Sequence, residues 1–261
     1  MTQTETQLQP CRILAISGKL QSGKSTAANF VIGNYLYGFG LVKSGFAINK
    51  EGQLHIGDFL GSADFKGVFD VTRNTEAMRA LLADFVDPYV KLCSFAEPLK
   101  LIAVNYLGLT EEQVNGTNAQ KNTLTKCKIN GEFATGRQVM QWLGKNLREL
   151  YEDVYVNNAL ERIQKAQPLL AIVNDVRFPN EVKKIQQAGG KVIRLTRAPY
   201  KGNKDSQDDS ETALDPENFD WSQFDYILDN EKLSINKMTD KLLEVITGWD
   251  MIPKAEKTQP E

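Results

Sequence analysis

The stretch Ile13-Leu14-Ala15-Ile16-Ser17-Gly18-Lys19-Leu20-Gln21-Ser22-Gly23-Lys24-Ser25-Thr26 decides the fold. Ile13–Ile16 is a short apolar run of the kind that fills a strand buried on both faces. Gly18–Ser25 fits the spacing GxxxxGK[ST], and Thr26–Leu36 carries Ala27, Phe30, Val31 and Leu36 at roughly helical spacing. Strand, glycine-rich turn and helix in this order give the spacing its chemistry. Gly18 and Gly23 permit backbone conformations and a close approach that a Cβ would block. The N–H groups of the loop, through Gln21 and Ser22, then point inward and cradle phosphate oxygens together with the helix N-terminus. Lys24 can bridge β- and γ-phosphates, the Ser25 hydroxyl can ligate Mg²⁺, and Thr26 can donate to the α-phosphate. This constellation predicts a nucleoside triphosphate site and leaves the acceptor open.

Outward from that loop, four more apolar runs read as strands: Lys91–Phe95, Leu169–Val173, Lys191–Leu195 and Tyr226–Leu228. Helical patterns separate them. One spans Thr75–Phe85, with Pro88 closing that region. A second opens near Pro98, where a missing N–H costs nothing. A third runs from Arg137 to about Lys165, with Val139, Leu143, Leu147 and Leu150 on one face. A fourth opens at Phe178-Pro179-Asn180-Glu181 and ends at Gly189-Gly190, and the last covers about Ser234–Ile246. Strands alternating with helices predict an α/β fold: a five-stranded parallel sheet with helices on both faces. The stretch 38–68 differs. Its glycines at 38, 40, 45, 52 and 57 mix with short alternating runs, so a β-rich insertion is expected within 38–90, with a hairpin around Lys50–Gly52. Residues 110–135 read as polar and loop-rich. The expected organisation is an arm at 1–10, one domain over 11–249 with a lid-like segment near 197–212, and a tail at 250–261.

The composition suits such a domain. The chain has 261 residues, 41% of them hydrophobic and 25% charged, enough for an ordinary core. Basic side chains number 31 and acidic ones 33, for a formal charge of -2, so nothing in the balance demands nucleic acid or an anionic membrane. Any basic site must be local. Cys11, Cys93 and Cys127 form no CxxC pair, and three cysteines cannot all pair within one chain. The only histidine is His55, which leaves His-rich metal sites and a Ser/His/Asp mechanism poorly supported. Met1–Pro10 is polar, without a signal peptide's apolar core, and no run approaches the roughly 18 apolar residues of a membrane span. The expectation is a cytoplasmic protein, a monomer or homodimer, with small-molecule partners.

A second candidate group follows the Leu169–Val173 run. Asn174-Asp175 stands where this fold places its second Mg²⁺-associated carboxylate, and where ligands bind beyond the carboxyl ends of parallel strands. An Asp that ends a strand by capping a turn is the alternative. Arg177 lies two residues on, and Glu181 falls in the first turn of the next helix.

Five blocks carry a resemblance to a known family: SGKLQSGKSTAANF at 17–30, SFAEPLK at 94–100, NGTNAQKNTLT at 115–125, GRQVMQWLGKNLRE at 136–149 and NDVRFPNEV at 174–182. A weaker sixth is ILDNEKLSINKMTDKL at 227–242. In this order they resemble the bacteriophage deoxynucleoside monophosphate kinases, a branch of the P-loop nucleoside monophosphate kinases. The resemblance implies Mg-ATP as donor and conversion of a dNMP to a dNDP, in the host cytoplasm if the gene is a phage's. It implies that Lys100, Lys121 and Arg137 hold the acceptor nucleotide and its phosphate, that Asp175, Arg177 and Glu181 form an acidic-basic acceptor loop, and that Lys19 lies beside the triphosphate. Tyr155 stands where the family often has tryptophan, and it reads equally as a base-stacking ring or as a core aromatic. Lys121 replaces an arginine of some relatives, so a bidentate phosphate grip is not expected there. Arg197 falls where these kinases carry a lid, and reads as a closing cation or a plain surface arginine.

On this reading the acceptor oxygen attacks the γ-phosphorus directly, and catalysis is positioning plus charge neutralisation by Lys24, Lys19, Arg137, Arg177 and Mg²⁺. Two rivals stand beside it. One is another P-loop small-molecule kinase, of the dephospho-coenzyme A kinase kind. The other is a regulatory NTPase. A GTPase would need a base-reading NKxD; Asn236-Lys237-Met238 is followed by Asp240 one position late.

Overall fold

The computed structural model describes residues 11–72, 75–199 and 209–253. The expected arm, residues 200–208 of the lid-like segment and residues 254–261 of the tail lie outside the described residues. The chain forms two compact units. One runs to Cys93 and resumes at Arg162; the other is Ser94–Glu161.

The first unit opens with β1 (Arg12–Ser17) and α1 (Lys24–Gly38). Next come β2 (Phe46–Ile48), β3 (Leu54–Ile56), β4 (Gly67–Val68), α2 (Glu76–Leu81), whose end widens into a π-helical turn at Leu82–Val86, and β5 (Val90–Cys93). The second unit holds α3 (Glu97–Asn105), α4 (Glu111–Asn115), α5 (Asn118–Lys121), β6 (Leu124–Ile129), β7 (Glu132–Thr135), α6 (Gly136–Leu150) and the start of α7 (Val154–Ala166). The first unit then resumes with β8 (Leu170–Val176), α8 (Pro179–Gln187), β9 (Lys191–Leu195), α9 (Asp209–Thr212), β10 (Tyr226–Leu228) and α10 (Ile235–Gly248).

All five expected strands form one parallel sheet in the order β10-β9-β1-β8-β5. The chain leaves β1 through α1 toward the β5 edge, and leaves β8 through α8 in the opposite direction to β9. Right-handed crossovers in opposite directions put their helices on opposite faces, so the sheet is covered on both sides and its strands read as apolar runs. Leu14, Ile16, Ile172 and Ile193 from the sheet, Val31, Tyr35 and Leu36 from α1, and Leu242 and Ile246 from α10 share one buried core. Burying each such side chain stabilises the fold by about 1.5–3 kcal/mol.

The expected β-rich insertion is the antiparallel sheet β2-β3-β4, and the hairpin turn falls at Asn49–Gly52. It is fastened to α1. Asn29 donates to the Gly52 carbonyl at 2.9 Å, and Phe46 lies so close over Gly33 that a Cβ there would sit 2.4 Å from its ring.

Three expectations need correction. Residues 110–135 are not loop-rich: they form α4, α5 and the β6–β7 hairpin. Thr110 and Thr117 each open a helix with a reciprocal capping box. Asn130 and Gly131, at φ 54° and 89°, make the left-handed pair that a tight hairpin turn demands. The helical stretch from Arg137 to Lys165 is two helices, broken where Tyr151 turns extended, and Leu150 is 84% exposed rather than on the buried face. The start of the expected tail is packed: Met251 is buried, and its carbonyl accepts the Tyr35 hydroxyl at 3.0 Å.

Candidate active site

The turn between β1 and α1 is a tight loop bounded by Gly18 and Gly23. Gly23 is left-handed at φ 103° and precedes the first helical residue, Lys24, so the free N–H groups of the helix start face the loop's hollow. At Gly18 a Cβ would sit 2.4 Å from Ser22 Oγ, so the approach needs glycine. Gln21 is also left-handed, at φ 56°, a conformation that costs a residue with a Cβ about 1–2 kcal/mol and recurs at ligand clamps. Ser22 Oγ is buried without a hydrogen-bond partner. Lys24 Nζ donates to the carbonyls of Gly18 and Lys19 at 2.7 and 2.6 Å. Burial lowers its pKa from 10.5 to about 8; the positive charges of Arg177 and Arg194 add to this and the negative charges of Glu211 and Asp175 oppose it.

Asp175 is placed by an irregularity in the sheet. β1 pairs Ala15 with Val173 but Ser17 with Val176, so β8 carries one extra residue beside the loop. The apolar run therefore continues as strand through Val176, with Asn174 and Asp175 in its bulge rather than beyond its end. Bulges beside functional loops re-aim side chains. Ser17 Oγ donates to the Val176 carbonyl at 3.0 Å and closes this seam. Glu181, 2% exposed in the first turn of α8, accepts the backbone N–H groups of Arg177 and Phe178 at 2.7 and 3.0 Å. Its geometry is that of a brace for the Arg177 backbone.

The first unit thus gathers Lys19, Lys24, Asp175 and Arg177 around the loop, with Ser25 exposed and Thr26 half-buried at the start of α1. It adds residues that the sequence reading missed. Arg194, on β9 and 4% exposed, donates to Ser17 Oγ at 2.9 Å and faces the rings of Trp221 and Phe224 at 5.1 and 5.8 Å. The signal was present: an arginine inside the apolar Lys191–Leu195 run of a strand covered on both faces demands a reason. Glu211 and Asp215 carried no such signal, because each sits in polar sequence; Asn230 lies inside the weaker sixth block at 227–242, which gave it no role. Asn230 donates to the Ser22 carbonyl at 2.8 Å and accepts the Arg197 N–H at 3.0 Å. Arg197 itself is exposed.

The second unit gathers Lys100, Lys121 and Arg137. Arg137, in the first turn of α6, donates to Asn122 Oδ1 at 3.2 Å and to Asn118 Oδ1 at 2.9 Å. That ties it to both ends of the short helix that carries Lys121. Burial lowers the Lys121 pKa, and the charges of Lys100 and Arg137 lower it further. Among the described residues no carboxylate pairs with any of the three. The three form a cationic cluster without a carboxylate partner among the described residues. Tyr155 does not line it as a free ring. It is 4% exposed, its hydroxyl donates to the Leu143 and Gly144 carbonyls at 3.3 and 3.2 Å, and Arg148 covers its face at 5.0 Å. Of its two readings, the core aromatic is the one this geometry matches.

A glycine-rich loop at the carboxyl end of the sheet's central strand defines the class of protein, an α/β P-loop fold. The family model described as "Deoxynucleotide monophosphate kinase" matches residues 12–242, and the chain belongs to that family. A protein of Acanthamoeba polyphaga mimivirus described as "Putative deoxynucleotide monophosphate kinase" is 29% identical over 117 residues, which cover 40% of this chain and 59% of the relative. No helix among the described residues is long and apolar enough to cross a membrane.

Proposed function

We propose that the chain transfers the γ-phosphoryl group of ATP to a deoxynucleoside monophosphate, giving a dNDP and ADP. The observation that carries this reading is the pairing of a P-loop with a second, uncompensated cationic cluster at Lys100, Lys121 and Arg137. One triphosphate needs one cradle. A second anion site built from three separate elements calls for a second phosphate-bearing ligand, and a nucleoside monophosphate brings about two negative charges.

In this proposal Lys24 and Lys19 bind the triphosphate, and Arg177 meets its terminal phosphate. Arg137 grips the acceptor phosphate, with Lys100 and Lys121 neutralising it. The acceptor oxygen is already an anion, so no strong base is required, and orientation and electrostatics supply the catalysis. No group of three His, Cys, Asp or Glu among the described residues could cage a metal unaided. The donors present fit a Mg²⁺ that takes the Ser25 hydroxyl, phosphate oxygens and water, with Asp175 as the nearby carboxylate. When bound, Mg²⁺ would neutralise phosphate charge.

Incubation with Mg-ATP and each dNMP and NMP singly, followed by separation of the products, tests the reading. The expected result is a diphosphate formed in equal amount to ADP with at least one dNMP. ATP hydrolysis indifferent to every nucleotide acceptor would overturn it.

A further inference from the structure

Beside the phosphate loop, the segment from Asp209 to Asp215 places two carboxylates on the cations assigned above to phosphate. Glu211 Oε2 accepts the Leu20 N–H of the loop at 2.9 Å, while Oε1 pairs with Arg177 Nη1, which also reaches Ser210 Oγ at 3.3 Å. Asp215 pairs with Lys19 at 2.6 Å and stands 3.8 Å from Arg194. The Glu211 side chain is only 8% exposed. Burying a carboxylate is costly unless its oxygens are filled, and here each oxygen is filled by a different element. One anchor is the backbone of the loop; the other is a guanidinium.

Arg177 is consequently held at both ends. Glu181 fixes its backbone N–H at 2.7 Å, and Glu211 fixes its head. Freezing a long arginine costs rotamer entropy. A fold gains little net stability from a largely buried ion pair, whose desolvation offsets its attraction, whereas a site that must present a guanidinium to a phosphate gains preorganisation. We propose that Glu211 is a positioning residue, locking Arg177 against the P-loop so that the guanidinium meets the terminal phosphate of a bound triphosphate. The inference rests on the triphosphate half of the reading above and is independent of the acceptor.

The test is a double-mutant cycle read by calorimetric binding of Mg-ATP and Mg-ADP to the wild type, Glu211→Gln, Arg177→Ala and the double variant. The wild type is expected to bind ATP more tightly than ADP. Each single variant should lose about tenfold or more of that preference, the size expected for a hydrogen bond to a charged group. The double variant should lose no more than Arg177→Ala alone, because Glu211 acts through Arg177. A wild type without ATP preference, a Glu211→Gln protein with normal preference, or losses that add in full would each overturn the proposal. Should Glu211→Gln not fold, as judged by circular dichroism, Glu211→Asp enters the same cycle, since one lost methylene breaks the double reach. Intact coupling with no dNMP phosphorylated would sink the acceptor assignment and leave this one standing.

Discussion

Lys24 folds its ammonium back to within 2.7 Å of the carbonyl oxygen of Gly18, the residue that opens the loop Lys24 closes. A lysine so placed is held by backbone rather than by a carboxylate, and burial brings its pKa down from 10.5 to about 8. Before a ligand binds, its charge is therefore fully present only below that pH.

The protonated form is the one that binds ATP, so affinity should be flat below about pH 8 and fall above it. The loss should approach tenfold per pH unit until the pKa of the complex is reached. Calorimetric Kd values from pH 7 to 10 check this. Lys24→Met should abolish the slope, and in the dNMP assay it should cut transfer by about 10²–10³-fold while the circular dichroism spectrum stays native. A Kd that ignores pH through this range would show that Lys24 does not meet phosphate.

Gly33 tests the insertion. A Cβ at this position would lie 2.4 and 2.6 Å from the Phe46 ring and 2.9 Å from Leu54 Cδ1. Gly33→Ala is expected to destabilise the protein by about 1–3 kcal/mol through overpacking, read as a lower denaturant midpoint. The site lies about 13 Å along the helix from Lys24, so kcat at a permissive temperature should hold. An unchanged midpoint would mean that β2 is not seated on α1.

What the sequence revealed and what it hid follow from the range of the interactions. The five strands were legible because a parallel strand covered on both faces must be a nearly continuous apolar run, as in Leu170–Val173. The loop was legible because its glycines and Lys24 act within eight residues. The β6–β7 hairpin was missed although Asn130-Gly131 announced it, because Lys126, Lys128 and Glu132 around the turn read as polar loop. The break before α7 has neither proline nor glycine to mark it. Glu211 and Asp215 were invisible because their meaning lies in contacts with Leu20 and Lys19, 191 and 196 residues away in sequence, and with Arg177, 34 residues away, all adjacent in the fold.

Asp175 in the β8 bulge separates a chemical from a structural role. Asp175→Asn preserves shape and removes charge. We expect kcat to fall by tenfold or more, about 1.4 kcal/mol of barrier, with a melting temperature close to wild type. A large drop in melting temperature with normal kcat would make it a residue that shapes the bulge.

Lys100, Lys121 and Arg137 repel one another in the second unit: burial lowers the Lys121 pKa first, and the charges of Lys100 and Arg137 lower it further. A phosphate dianion should relieve that repulsion. A saturating dNMP is therefore expected to raise the melting temperature of the wild type by linkage, and Lys100→Gln should lose most of that shift while melting no lower than wild type without ligand. An undiminished shift in Lys100→Gln would remove Lys100 from the acceptor site.

Arg137 carries the sharpest test of acceptor recognition, because its geometry separates shape from charge. Of a guanidinium's five N–H donors, one on Nε and one on Nη2 are committed to Asn122 and Asn118. Those two bonds fix the plane of the group and leave the remaining donors fanned for an oxyanion. A lysine would keep the charge but lose the plane, both asparagine anchors and any two-pronged grip on phosphate. Arg137→Lys is therefore expected to raise the KM for dNMP and lower kcat, together costing tenfold to a hundredfold in kcat/KM, about 1.4–2.7 kcal/mol. The KM for ATP should move less than about threefold, since the proposed reading gives the donor to Lys24 and Lys19; a factor of three is only about 0.65 kcal/mol. If charge alone mattered, the substitution would be mild in every parameter. A wild-type profile, or a rise confined to the KM for ATP, would show that Arg137 does not clamp the acceptor.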